Sequence, residues 1–282
     1  MTPDAYCQER ASRSGSSFYY SFMFLPPERR RAITALYAFC REVDDVVDEI
    51  REASVARAKL AWWRDEVNRL EAGHPQHPVT LALAPHMLPY SMSCARLRDI
   101  IDGMQMDLEQ NRYLDYESLG LYCHRVAGVV GILAASIFGV THPDTLRYAA
   151  RLGLAFQLTN IIRDVREDAK MGRIYLPLAE LQRFGVTVAD LLAVRPSENF
   201  TALMRFQHAR AVETYREALA LLPEADRRSQ RPGLVMASIY ATLLAEIERD
   251  GLRVLTHRTS LPPVRKLWLA WRTWRSGRVR GL

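Results

Sequence analysis

An all-α fold is expected from three features of this 282-residue sequence. Apolar residues recur at steps of three and four over long segments. No segment alternates with a period of two between hairpin turns, and turn-forming residues are confined to short stretches. The composition, 49% hydrophobic and 25% charged with only 14 glycines, supplies enough apolar surface for a large core.

Pro26-Pro27 marks the start of the first long helix, in which Ile33, Leu36, Tyr37, Cys40, Val43 and Val47 line up. Similar patterns run through Val55–Leu70, Ala95–Leu108, Ser118–Phe138, Thr145–Val165, Thr201–Leu222 and Leu234–Leu255. Loops fall at Gly73 to Pro78, Gly139 to Pro143, Ala169 to Pro177 and Arg195 to Ser197. None is long enough to be a linker, and no repeat of solenoid period is present. Residues 1–282 therefore read as one domain, a bundle of long helices around a central cavity.

No run reaches the 18 or so uninterrupted apolar residues of a membrane span, and the first ten residues have no apolar signal region. Cys7, Cys40, Cys94 and Cys123 lack metal-site spacing; Cys40 and Cys123 read as reduced core residues of a cytoplasmic protein. The net charge of +6 is local. No acid follows Asp250, whereas eight cations do, and without them the chain carries 30 basic against 32 acidic residues. A nucleic-acid-binding body is thereby disfavoured, and the basicity belongs to an amphipathic segment, residues 262–282.

The chemistry is carried by two acidic stripes. Asp44 and Asp48 are four residues apart, as are Asp164 and Asp168, so each pair shares one helix face. Tyr37, Arg41, Asp44 and Asp48 fall within a sector of about 60°, and Gln157, Asn160, Asp164 and Asp168 within about 80°. Like charges at i,i+4 cost an isolated helix roughly 0.2–0.5 kcal/mol per pair. A solvated face would mix Lys with Glu, whereas these stripes combine an amide with paired Asp. Hard oxygen ligands without nearby His or Cys point to Mg²⁺ bridging to phosphates. Asp45 points off the first stripe and reads as a surface carboxylate.

Several ordered blocks then carry a resemblance. Ser14 to Tyr20 (SGSSFYY), Tyr37 to Asp45 (YAFCREVDD), Tyr122 to Gly128 (YCHRVAG), Gln157 to Asp164 (QLTNIIRD) and Gly172 to Pro177 (GRIYLP) resemble the squalene/phytoene synthase family. The resemblance implies an isoprenoid-synthase helical bundle that joins two allylic prenyl diphosphates head to head. It implies Asp44, Asp48, Asn160, Asp164 and Asp168 as ligands of several Mg²⁺ ions, with Arg41, Arg163 and Arg173 around the diphosphate. Tyr122 matches the family's catalytic tyrosine, with Arg41 and Tyr37 beside it. Ser16 and Ser17 match a segment that contacts the diphosphate, and Phe18, Tyr37, Tyr175 and Tyr240 are aromatic candidates for the wall around an allylic cation.

The wording from Ser16 to Phe22, followed by Leu25 to Arg31, is similar to presqualene diphosphate synthases of hopanoid pathways. That branch would convert two farnesyl diphosphates to presqualene diphosphate, need no NADPH for this step, and leave reduction to a downstream reductase. Phytoene synthesis from geranylgeranyl diphosphate, complete squalene synthesis with NADPH, and a silent scaffold of the same fold are the alternatives. Gly128 and Gly131 read as permitting a close helix approach or leaving space beside a prenyl chain, and His124, Asp102 and Asp107 as structural. In the tail, Val264, Leu267, Trp268 and Trp271 share a face flanked by Arg265, Lys266, Arg272 and Arg275. Two readings stand: a helix lying on anionic lipid at the inner face of the cell membrane, or one docked on its own domain with its Trp residues in the core.

Overall fold

The computed structural model describes residues 1–13, 18–50 and 52–281, the side chain of Tyr19 excepted. Fourteen α-helices lie within the described residues. In chain order they are α1 (Pro3–Arg13), α2 (Phe18–Phe22), α3 (Pro27–Glu49), α4 (Ala53–Glu71), α5 (Pro78–Met87), α6 (Cys94–Glu109) and α7 (Tyr116–Cys123). Then come α8 (Val129–Phe138), α9 (Asp144–Lys170), α10 (Leu178–Arg183), α11 (Val188–Leu192), α12 (Glu198–Leu221), α13 (Arg231–Arg249) and α14 (Pro263–Ser276). Strand pairing among the described residues is limited to one bridge, Arg112 with Ile174.

Helix starts follow local chemistry. Proline opens α3, α5, α13 and α14, where its missing N–H is no loss. Ser93 and Ser197 accept bonds from the backbone N–H of Arg96 and Phe200, and Asp115 forms a capping box with Ser118. The long apolar pattern from Ser118 to Phe138 is not one α-helix. A π-helical turn, His124–Gly128, separates α7 from α8 directly after Tyr122 and Cys123. Such turns frequently mark functional sites. The run Tyr116–Phe138 is also long and apolar enough, by length and composition, to cross a membrane, which the count of uninterrupted apolar residues overlooked. Here it packs against α6 and α9.

Two hydrophobic cores result. One gathers residues of α1, α3, α4, α5, α6 and α8 around Trp63, Phe39 and Leu36; the other gathers α7 and α9 to α14 around Tyr148 and Tyr215. Phe18 and Val126 pack against both. Buried carboxylates fix the connecting loops. Glu66, fully buried, accepts from the N–H groups of Gln76 (2.7 Å) and His77 (2.8 Å) and from Thr80. Asp226 accepts from Thr141 N, His142 N and Thr145 Oγ1, at 2.9, 3.1 and 2.6 Å, tying the α8–α9 loop to the turn before α13. Burial opposes both charges, yet these bonds hold each carboxyl down at about 2.

Helix α9 meets both α8 and the π-helical turn before it backbone to backbone. A Cβ on Gly131 would sit 2.3 Å from the carbonyl oxygen of Ala149, and one on Gly153 2.4 Å from that of Ala127. Close approach is therefore the role of Gly131, although it also borders the central cavity. Gly153→Ala is expected to destabilise the fold by about 1–3 kcal/mol through overpacking. The check is a chemical denaturation midpoint, with an unchanged midpoint refuting the tight contact.

Candidate active site

Both acidic stripes end their helices. Asp44 and Asp48 occupy the last turns of α3, and Asp164 and Asp168 those of α9. A helix C-terminus carries partial negative charge, so carboxylates there add to the field where cations are preferred. The two ends converge. Gly172, at φ +75°, turns the chain after α9 so that Arg173 reaches the end of α3. Its guanidinium donates to Asp48 Oδ1 (2.7 Å) and to the carbonyl of Val47 (2.7 Å).

Other arginines enter from separate elements. Arg41 donates to Asp44 Oδ2 (2.6 Å) and to Asp45, which also receives Arg10 of α1 (2.6 Å). Asp45 is thus a largely buried ion-pair partner, not a surface carboxylate. Asp164 accepts from Arg163 (Nε, 2.9 Å) and from Arg258 (2.8 Å) in the α13–α14 connection. Burial works against its charge, yet these two guanidinium groups hold Asp164 below the ordinary carboxylate range. Asp44 and Asp168 are less well compensated. Burial, then Asp48, pushes Asp44 up to about 7; burial, then Asp164, pushes Asp168 up to about 8.

A cavity of about 700 Å³ opens between the two cores. Phe18, Tyr37, Arg41, Asp44, Asp48, Tyr122, Gln157, Asn160, Arg163, Asp164, Asp168, Arg173, Tyr175 and Tyr240 all line it. Ser16 and Ser17 lie outside the described residues. Charged groups cluster at the helix ends, while Ile33, Ala134, Phe138, Leu152, Gly233 and Met236 form an apolar wall. Cys40 packs against the first core and also borders the cavity, and all four cysteines are free thiols. The buried Oδ1 of Asn160 has no hydrogen-bond partner, while its amide nitrogen reaches Gln157 at 3.4 Å. A buried, unsatisfied oxygen facing carboxylates suits a bound cation. Among the described residues no three His, Cys, Asp or Glu side chains form a cluster sufficient for a metal by themselves.

Sequence reasoning missed three cavity residues. Asp107 of α6, expected to be structural, accepts from Tyr122 (Oδ2, 2.9 Å) and Tyr175 (Oδ1, 2.8 Å), whose rings stack at 5.2 Å. Burial pushes its carboxyl up to about 6, and the Tyr122 hydroxyl well above the ordinary phenol range. The signal was faint: Asp107 stands three residues from Met104 on an otherwise apolar face, and its partners are 15 and 68 positions away. Arg258 and Lys266 also border the cavity. The unbroken run of cations after Asp250 was visible, but not the fold-back that turns two of them inward. Asp102 pairs with Arg64 and His124 is exposed, and neither lines the cavity.

The profile of the squalene/phytoene synthase family matches residues 11–265. A phytoene synthase from Arthrospira platensis is 36% identical over 274 residues, covering 93% of this chain and 89% of the relative. A 15-cis-phytoene synthase from Synechococcus elongatus is 35% identical, with the same coverage. A ligand-bound dehydrosqualene synthase superposes with a TM-score of 0.82 at 28% identity, covering 96% of this chain and 94% of the other. A squalene synthase from Alicyclobacillus acidocaldarius gives 0.70 at 25% identity, covering 98% and 94%. With a profile match over most of its length and an all-α fold shared with these neighbours, the chain belongs to the squalene/phytoene synthase family.

Proposed function

We propose that the protein joins two allylic prenyl diphosphates head to head, losing one diphosphate and a proton as a cyclopropane closes and then, on the way to a hydrocarbon, the second diphosphate and a further proton as that ring opens. The observation that carries this reading is the polarised cavity: two converging acidic helix ends ringed by arginines, opening onto an apolar chamber. Asp44 and Asp48 on one side, and Asn160, Asp164 and Asp168 on the other, would hold Mg²⁺. Bound there, the ions would supply Lewis-acid neutralisation of the diphosphate oxygens.

The chain's own groups do the rest. Arg41, Arg163, Arg173, Arg258 and Lys266 offer fixed positive charge to a departing diphosphate, the guanidiniums with forks suited to its oxygens. Phe18, Tyr37, Phe156 and Tyr240 wall off water, which would quench an allylic cation, and present ring faces to it. Closure of the ring releases a proton. Tyr122 Oη takes it while passing its own proton to Asp107 Oδ2, and Tyr175 orients that carboxylate from the other side.

The substrate's chain length is the finer question. Similarity to phytoene synthases at 35–36% identity favours geranylgeranyl diphosphate, and we adopt that reading. The farnesyl alternative, with presqualene diphosphate as product, is supported by the N-terminal wording and by the dehydrosqualene synthase neighbour. Incubation with Mg²⁺ and each diphosphate, without NADPH, followed by mass spectrometry of the lipid, decides between them. A C40 hydrocarbon from the first substrate alone supports our reading. Presqualene diphosphate from the second alone moves the protein to the other branch, and silence with both overturns the proposal.

Asp107→Asn is expected to lower kcat by about 10²–10⁴-fold with the fold retained. In the parent, kcat should fall as the pH drops through about 6, where Asp107 becomes protonated and can no longer accept. A pH–rate profile without that limb would remove Asp107 from proton transfer.

Asp168 gives a thermodynamic check. Its carboxyl, ordinary in the unfolded chain, sits near 8 in the fold, so the folded state binds the extra proton between about pH 4 and 8. The metal-free parent therefore loses stability as pH rises through that window. Asp168→Asn should be more stable than the parent by a gap that opens across the window and stays constant above it. Magnesium with inorganic diphosphate should narrow the gap at pH 8. Thermal unfolding at pH 5 and pH 8 measures both effects, and parallel curves would contradict the buried charge.

A further inference from the structure

We infer that the outer face of α14 docks the protein on a bilayer rich in anionic phospholipid. The helix is not loosely held. Leu269 and Ala270 are buried, Thr273 Oγ1 donates to the buried Ser238 Oγ at 2.8 Å, and Trp274 stacks on Phe24 at 5.1 Å. Its orientation is therefore set by α13 and by the segment around α2. Of the two sequence readings, docking on its own fold holds for the inner side, but its tryptophans in the core do not: Trp268 and Trp271 stay outside.

On the outer side, Val264, Leu267, Trp268 and Trp271 are 79, 44, 50 and 50% exposed. Spaced at i, i+3, i+4 and i+7, they make one continuous apolar stripe. Arg272 lies over the ring of Trp268 at 4.4 Å and Arg275 over that of Trp271 at 5.5 Å. Among the described residues none of Arg272, Arg275, Arg278 and Arg280 has a carboxylate partner in an ion pair. The other two basic residues of the helix are committed elsewhere: Arg265 pairs with Glu246 (2.6 Å) and Lys266 borders the cavity.

The occupant follows from this chemistry. Indole rings with an apolar body and one polar N–H suit the headgroup boundary, and unpaired arginines around them suit anionic lipid. Because α14 and the loop before it also border the cavity, docking would bring the mouth near the bilayer. Under the proposed function, a hydrocarbon product would then have a short path into lipid. The docking itself does not depend on that reading.

The test is co-sedimentation of the full chain with phosphatidylcholine vesicles, with and without about one-third phosphatidylglycerol, at low and high salt. Binding is expected to the anionic vesicles only and to weaken with salt, since these charges meet the surface through solvent. Trp268→Ala/Trp271→Ala should lower vesicle affinity at least about tenfold, as should Arg272→Gln/Arg275→Gln/Arg278→Gln/Arg280→Gln, each with an unchanged melting temperature. Absence of binding by the parent, or equal binding by the folded Trp variant, would overturn the inference. So would a dimer in vesicle-free buffer that the Trp variant abolishes, which would assign the stripe to a second copy of the chain. Vesicle binding is scored without substrate, so its failure is distinct from failure of the prenyl-transfer reading.

Discussion

Two negative helix ends held face to face are the constraint around which this structure is organised. The C-terminal turns of α3 and α9 bring four aspartates and two helix dipoles into one partly buried space. Each contribution is unfavourable alone, and Coulomb repulsion grows as water is excluded. The chain offsets part of the cost with guanidiniums from four places: Arg41 within α3, Arg163 within α9, Arg173 just after it and Arg258 some 90 residues further on. Asp48 and Asp164 receive such bonds from outside their own helices, whereas among the described residues Asp168 receives none and Asp44 only that of Arg41. The remaining imbalance appears in the raised carboxyls of Asp44 and Asp168 and in the unsatisfied oxygen of Asn160. Under the proposed function, groups left in that condition would take a cation.

The rest of the fold separates this charge from an apolar chamber. Glycines at the α8–α9 contact allow two backbones to meet where any Cβ would intrude, which fixes one wall. The tyrosine pair on Asp107 lines the same cavity, held by stacking as well as hydrogen bonds. The π-helical turn directly after Tyr122 shifts the helical register between α7 and α8, so Tyr122 and the α8 residues of the apolar wall do not follow one continuous α-helical face. An amphipathic substrate with an anionic head and a long hydrocarbon tail fits such a division of surface.

Helix α14 shows how one amphipathic element can serve two surroundings. Its narrow inner face, Leu269, Ala270 and Thr273, packs on α13, while Lys266 borders the cavity and Trp268 and Trp271 remain half in solvent. A hydrophobic stripe in sequence does not say which side a helix buries when two sides are apolar.

What the sequence alone determined is what depends on near neighbours. Helix type, the major helices and the alignment of Tyr37 with Arg41, Asp44 and Asp48, or of Gln157 with Asn160, Asp164 and Asp168, follow from a period of 3.6 residues. The short helices α1, α2, α5, α10 and α11 did not stand out, because three turns or fewer give too few repeats to register. The tertiary structure decided everything that couples distant positions. It joined Asp107 to Tyr122 and Tyr175, turned Arg258 and Lys266 into the cavity, placed Asp45 in an ion pair with α1, and chose the buried side of α14. These outcomes depend on where helices pack, and packing is settled by the whole core. No local pattern records it.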